Sequence, residues 1–296
     1  MLRILLTGVA TLDIINTVDE YPAEDSEVRA SEQSIRMGGN ACNSAQVIQQ
    51  LGHHSSLLCA FADDAAADFI QHELRAQQIE FSHCPVQTDS ATPTSYISLS
   101  RATGSRSIVH YRRLDELNAH QFAQLPLDSY HWCHFEARNC EQLLEMLQQC
   151  KAAGRPVSLE LEKPRDGLEP LLPLADVLLI SRPFAESQGF STAQQCLQRF
   201  SQRYTNTIIS CSWGDQGAWL YDTQQIIHQP AFAVAQVVDS LGAGDTFNAG
   251  LISQLAQQTA PAEALAFACE LAANKCTQSG FTNLSIPPIN QGATYV

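Results

Sequence analysis

Val237-Val238-Asp239-Ser240-Leu241-Gly242-Ala243-Gly244-Asp245-Thr246-Phe247-Asn248-Ala249-Gly250 reads as a β-like run, a glycine turn and the opening of a helix that carries Phe247, Leu251 and Leu255. A helix entered in this way presents free backbone N–H groups and the positive end of its dipole to whatever lies above it, and the glycines allow close approach. That arrangement suits a phosphoryl group in transfer. Asp245, in the first turn, has two readings: an ordinary helix cap, or a carboxylate placed to take a proton from a hydroxyl as its oxygen attacks phosphorus. In the second reading the N–H groups of Ala243, Gly244 and Asp245, in the Gly242-Ala243-Gly244 turn, would stabilise the charge on the transferred group.

Working outward, short apolar runs alternate with longer segments of helical period, the pattern of an α/β protein with a mainly parallel sheet. Strands are expected at 3–9, 55–61, 131–135, 156–161, 176–180 and 206–211. Helices are expected at 41–51, where Ala41, Ala45, Ile48 and Leu51 share a face, and at 64–78 and 140–152. Two stretches break the alternation: 12–36, and a hairpin over 94–111 that turns at Ala102-Thr103-Gly104-Ser105. Together they are expected to form a small sheet projecting from the body as a lid. With no internal repeat or low-complexity linker, residues 1–296 are read as one domain carrying that lid.

Composition narrows the function classes. Seventeen basic against thirty-one acidic residues give a net charge of −14, which opposes binding to a nucleic-acid backbone. The ten cysteines include no Cys-x-x-Cys pair and no zinc spacing, so they read as buried apolar side chains in a cytoplasmic protein. Met1 to Ala10 imitates a short signal peptide but meets Asp13 at once, and is read as the first buried strand. No run approaches the ~20 apolar residues of a membrane helix. His131 and His134, three apart on a strand, point to opposite faces and make no metal pair.

Asp239-Ser240-Leu241-Gly242-Ala243-Gly244-Asp245-Thr246-Phe247 resembles the C-terminal signature of the PfkB carbohydrate kinases. Gly38-Gly39-Asn40-Ala41-Cys42-Asn43-Ser44-Ala45, about 200 residues earlier, resembles the Gly-Gly-Asn motif with which that family binds its sugar. The resemblance implies a ribokinase-like three-layer α/β/α body, ATP as phosphate donor and Mg2+ beside the phosphates. Four further stretches are similar to the ketohexokinase branch: Val18 to Glu27, His134 to Asn139, Glu160 to Arg165 and Asn274 to Phe281. By that similarity Asp13, Gly39, Asn40 and Asn43 would hold sugar hydroxyls, a role their donors and acceptors suit, and capping is the alternative for the two asparagines. The similarity also implies that Asp25 reaches the sugar site of a partner subunit, which makes the functional unit a homodimer with exchanged lids. A solvated carboxylate is the plain alternative for Asp25.

Arg106 and Arg138 resemble residues that face the phosphates or the sugar, with an ordinary surface arginine as the alternative. Trp213, Gly214 and Gly217 resemble the adenosine-binding strand end, with Ala243, Phe247 and Cys276 on its far side; Trp213 is equally readable as a core aromatic. One departure stands out. Many family members carry an Asn-x-x-Glu motif for Mg2+ and phosphate, and none occurs around Leu179 to Glu186. Glu160 and Glu162 are read as pointing to opposite sides of a strand, so only Glu162 is taken as a contact to the metal through water. The functions in competition are an ATP-dependent ketohexose kinase, a kinase of another sugar, sugar acid or nucleoside, and a non-catalytic sugar-binding descendant of the same fold.

Overall fold

The computed structural model describes residues 1–103 and 105–288. Gly104, assigned from sequence to the hairpin turn, lies outside the described residues. The strands are β1 (Arg3–Thr7), β2 (Thr11–Val18), β3 (Glu32–Gly38), β4 (His54–Leu58), β5 (Phe61–Ala62), β6 (Val86–Gln87), β7 (Ala91–Ser100), β8 (Arg106–Arg113), β9 (Trp132–Glu136), β10 (Val157–Leu161), β11 (Val177–Ile180), β12 (Ile208–Ser212), β13 (Ala218–Tyr221) and β14 (Ile226–Gln229). The helices are α1 (Asn40–Gln50), α2 (Ala65–Ala76), α3 (Ala119–Phe122), α4 (Cys140–Ala152), α5 (Arg182–Ser187), α6 (Ala193–Arg203), α7 (Ala243–Ala256) and α8 (Pro261–Cys276). All six strands and three helices expected from the alternation are present, with ends moved by up to three residues.

The eight-stranded main sheet runs β14-β13-β12-β11-β10-β9-β1-β4, parallel from β12 to β4. The antiparallel β13 and β14 at its far edge were not foreseen. Their four-residue runs follow directly on the Gly214–Gly217 turn and carry no helical spacer to mark them. The buried strands alternate their side chains between two cores. Leu5, Leu58, Phe135, Leu159 and Ile209 pack on the side of α3 to α6. Ile4, Leu6, Leu57, Leu179 and Leu220 pack on the side of α1, α2, α7 and α8. Each such side chain contributes about 1.5–3 kcal/mol by leaving water, so two filled faces fix the three-layer sandwich. Eight of the ten cysteines are buried in these layers and none is bridged, in keeping with their reading as apolar filler.

A second, four-stranded sheet runs β3-β2-β7-β8 and joins the two segments that broke the alternation. Register places Arg36, Asp13, Ser95 and His110 in one cross-strand row, and Ile35, Ile14, Tyr96 and Val109 in the next, on the opposite face. The polar row belongs to the face that also buries Ile15 and Ile97.

The order of the main sheet positions the site. From β1 the chain first steps to β4, and later elements return to the other side of β1 beginning with β9. Parallel sheets open a crevice at the carboxyl ends of strands where the winding reverses. Here that crevice lies beyond Thr7 of β1 and Glu136 of β9.

Candidate active site

Two helices enter this crevice by their N-termini, and neither is capped by its own side chain. The helix α1 follows Gly39, whose φ of +95° suits glycine and whose Cβ, were it present, would collide with the Val9 carbonyl. Glu136, at the end of β9, supplies the missing acceptor. Its Oε1 receives the N–H of Ala41 at 2.8 Å and of Val9 at 3.0 Å, which ties helix and loop to the sheet. The helix α7 follows Gly242, at φ +79° with the Phe281 ring packed against it. The Thr246 N–H and hydroxyl both bond the Gly242 carbonyl at 2.9 Å.

Asp245 is therefore not a cap. Its Oδ2 accepts the Asn43 amide at 2.7 Å, a bond that joins the two motifs across 202 residues. Asn40 likewise turns away from capping and donates to Glu160 Oε1 at 3.2 Å, an oxygen that Asn248 also reaches at 3.0 Å. The second oxygen of Glu160 is buried without a partner among the described residues. Burial pushes the Asp245 carboxyl up to about 7, opposed by the Asn43 bond and reinforced by the charges of Glu136, Glu162 and Asp13. Burial likewise raises Glu160 and Glu136, with neighbouring carboxylates adding to the rise of Glu160. A carboxyl poised near neutrality in a cleft is suited to proton transfer.

The reading that set Glu160 and Glu162 on opposite sides is corrected by strand geometry. Residues two apart share a face, and the charges of both reach the Asp245 cluster. They differ in burial: Glu160 lies within β10, whereas Glu162, just past its end, is 42% exposed with Lys163 Nζ 3.7 Å away.

Asp13, on β2 of the lid sheet, is buried, accepts the Thr11 hydroxyl at 2.8 Å and is raised chiefly by desolvation. Arg138 is held by two carboxylates, Glu116 at 3.0 Å and Glu136 at 3.8 Å, at the edge of the same crevice. Arg106, at the start of β8, spans from the lid to the Ser240 hydroxyl at 3.4 Å, just before the glycine turn. At that turn the Ala243 N–H donates to Ser240 O at 3.3 Å. Among the described residues no protein group accepts the N–H of Gly244 or Asp245, and the space beside Gly244 is open. The structure thus narrows the free donors to these two.

Other predicted contacts lie deeper or farther away. Trp213 is 3% exposed, in the core with the Arg182 guanidinium 5.4 Å from its ring centroid, and Phe247 is similarly buried. Their rings have almost no surface to offer, so contacts from these positions fall to backbone and to the Gly214–Gly217 turn. Cys276 acts through its carbonyl, which receives Val238 N at 2.8 Å and Asp239 N at 3.3 Å. Asp25 stands exposed on the loop between β2 and β3, with no side-chain hydrogen bond or ion pair among the described residues. His131 accepts the Arg3 N–H while His134 is buried against Ser158, which bears out their separation.

Three residues with no role in the sequence reading brace the glycine turn before Asp245. Asp239 receives Arg36 of the lid at 3.1 Å, Lys275 at 3.2 Å, and the N–H groups of Leu241 at 2.9 Å and Gly280 at 3.1 Å. Lys275 is fully buried and also donates to Asp239 O at 2.8 Å. No local spacing could have paired positions 36, 239 and 275.

Comparison with known proteins agrees with this geometry. Residues 1–288 match the model of the pfkB family carbohydrate kinases. Ketohexokinase of Mus musculus is 36% identical over 293 residues, covering 95% of this chain and 98% of that protein. Among solved structures, Arabidopsis thaliana ribokinase complexed with ribose and ATP superposes with a TM-score of 0.79 at 19% identity, over 96% of each chain. Xylella fastidiosa fructokinase with bound ATP gives 0.78 at 23% identity, over 96% of this chain and 95% of the other. With its two motifs joined at one buried carboxylate on a ribokinase-like sheet, the chain belongs to the pfkB family and is a carbohydrate kinase, a phosphotransferase with an alcohol group as acceptor.

Proposed function

We propose that the enzyme transfers the γ-phosphate of ATP to a primary hydroxyl of a ketohexose, with fructose as its sugar. The observation that carries the mechanism is Asp245, buried, raised to about 7 and held by Asn43 of the Gly-Gly-Asn helix. In this reading Asp13, Gly39, Asn40 and Asn43 hold the sugar's hydroxyls, and Arg138 stands at the sugar's edge. Asp245 accepts the proton of the attacking hydroxyl. The free N–H groups of Gly244 and Asp245, with Gly242 and Ala243 shaping the turn, receive the negative charge of the phosphoryl group. Arg106 faces the phosphates from the lid, and Gly214, Gly217 and the backbone of Cys276 border the adenosine. The ketohexose choice is supported by similarity to the mouse ketohexokinase along nearly the whole chain.

Among the described residues no three His, Cys, Asp or Glu side chains are grouped to cage a metal. Mg2+ commonly keeps several waters and uses one or two carboxylates besides the phosphates of its nucleotide. The free Glu160 oxygen and the half-exposed Glu162 fit such a share, and the ion would neutralise phosphate charge.

The test is turnover with Mg2+ and ATP across fructose, other ketohexoses, ribose, glucose, 2-keto-3-deoxygluconate, fructose 6-phosphate and adenosine. Fructose is expected to give the highest kcat/KM, and a different winner removes the ketohexose assignment. A second expectation concerns the turn. Gly244→Ala meets no neighbour and favours the helix by about 1 kcal/mol, so the melting temperature should hold or rise. Turnover should nevertheless fall at least tenfold, because the new methyl stands where the phosphoryl group passes. Unchanged kinetics would place that group elsewhere.

The working unit in this proposal is a homodimer whose lids exchange. The outer row of the lid leaves Ile35 48%, Tyr96 50% and Val109 68% exposed, an apolar face where a solvated sheet is ordinarily polar. Asp25, unengaged in its own chain, is then the residue given to the partner. Mixing Asp25→Ala with Asp245→Asn subunits is expected to restore part of the activity each lacks alone; verified mixed dimers that stay inactive would count against a shared site.

A further inference from the structure

At the amino ends of β1 and β4, away from the crevice just described, an open cleft of about 600 Å³ is lined by Arg3, His54, Arg75, Gln78, Glu80 and Ser82, among others. Strands of five residues span roughly 17 Å, so this cleft and the catalytic crevice occupy opposite ends of the same strands. Arg3 and His54 face each other as the first register pair of β1 and β4. Arg75 comes from the last turn of α2. The segment 79–82 runs beside β4, bridged at Ser56 and Glu80, and forms the wall.

The cations here differ from most others in the chain. Arg36, Arg101, Arg112, Arg138, Arg182 and Arg203 each have a carboxylate within ion-pair distance. Arg3 and Arg75 have none among the described residues; each instead lies against an aromatic ring, Arg3 5.5 Å from the Tyr130 centroid and Arg75 5.2 Å from that of Phe81. Phe81 is itself packed edge-on to Phe61, 5.9 Å between centroids. Backing of this kind lowers the entropy a guanidinium loses when it binds; Arg75 already donates one N–H to Gln71 Oε1 at 3.1 Å and keeps the rest of its fork for a ligand. The one carboxylate of the cleft, Glu80, accepts the Ser82 N–H at 2.7 Å.

We propose that this cleft binds a small phosphomonoester with a hydroxylated body, a sugar phosphate, as a site separate from catalysis. Arg3 and Arg75 take the phosphate, since paired guanidinium groups match its oxygens. Glu80, Ser82 and Gln78 take the hydroxyls. In a molecule of net charge −14, a concave surface with two unpaired cations is where an anion gathers. A sugar phosphate is also the chemical class that a carbohydrate kinase releases, so the site would sense that pool.

The probes are glucose 6-phosphate and inorganic phosphate, titrated calorimetrically at low salt against wild type, Arg3→Gln/Arg75→Gln, Arg75→Lys and Asp245→Asn. Glucose 6-phosphate is expected to bind wild type and Asp245→Asn alike, at least tenfold more weakly to the double variant and with a smaller loss for Arg75→Lys. ATP should not displace it. Thermal melts without ligand check that the exposed substitutions leave the fold intact. Equal affinity for the double variant, or displacement by ATP, overturns the site. Inorganic phosphate binding as tightly as glucose 6-phosphate overturns the sugar part and makes free phosphate the ligand.

Discussion

Asp245→Asn is expected to lower kcat by ~10²–10⁴-fold while leaving the KM for the sugar within a few-fold. The amide keeps the shape of the carboxyl and can still offer an oxygen to Asn43, so the bond between α1 and α7 survives. What disappears is the group proposed to take the proton. The pH profile gives an independent check. Because burial holds Asp245 near 7, its basic form is depleted below that pH, and kcat/KM should rise with pH through about 7 with the slope of one proton. The variant should lose that limb. A loss below tenfold, or an unchanged limb, would assign the base to another group. The same shift bears on stability with the opposite sign: a carboxyl whose folded value lies above 3.8 binds its proton more readily folded than unfolded, so this residue favours folding less as pH rises from about 4 to 7.

Asp239→Ala is expected to destabilise the protein by about 3–5 kcal/mol, read as a lowered midpoint in chemical denaturation. Lys275 is fully buried, and its ammonium would keep the Asp239 carbonyl but lose the only carboxylate beside it among the described residues. Lys275→Met should cost less. It removes the buried charge, while Asp239 retains Arg36 and the N–H groups of Leu241 and Gly280. Bonds from Gly280, Leu241 and Lys275 outweigh burial and hold the Asp239 carboxyl below its ordinary value. Its contribution is therefore complete above 3.8 and is lost as pH falls through the lower folded value. If Lys275→Met proved the more damaging change, Lys275 would be acting through packing on Phe281, whose ring centroid lies 5.4 Å from its ammonium, and not through charge.

The two substitutions also separate chemistry from architecture. Asp245 should change turnover with little effect on unfolding. Asp239 braces the same turn through its backbone and side chain, and should change both.

Much of the fold was legible because it is written locally. Apolar runs of strand length, spaced by helices of period 3.6, specify a parallel sheet with covered faces, and the runs at 3–9, 55–61 and 131–135 became β1, β4 and β9. The interruption at 12–36 and 94–111 foretold a second sheet for the same reason. The glycine turn before Asp245 and the Gly-Gly-Asn before α1 were equally visible, since only certain residues permit those backbone paths. The sequence by itself therefore determined the layers, the lid segments and the two helix entrances.

Only the tertiary structure decided which groups meet. Capping stood against proton transfer for Asp245 and against sugar binding for Asn40 and Asn43; folding turned each side chain away from its own helix and toward a carboxylate or amide from another element. Glu136 as the cap of α1, Glu160 at the centre of the acidic cluster, and the Arg36–Asp239–Lys275 brace join residues 36 to 203 positions apart. Trp213 and Phe247 went into the core because burial of a large ring outweighs any local signal. Local propensity acts over a few residues, whereas a shifted pKa, a satisfied buried charge and an open cleft depend on neighbours that only the closed sheet brings together.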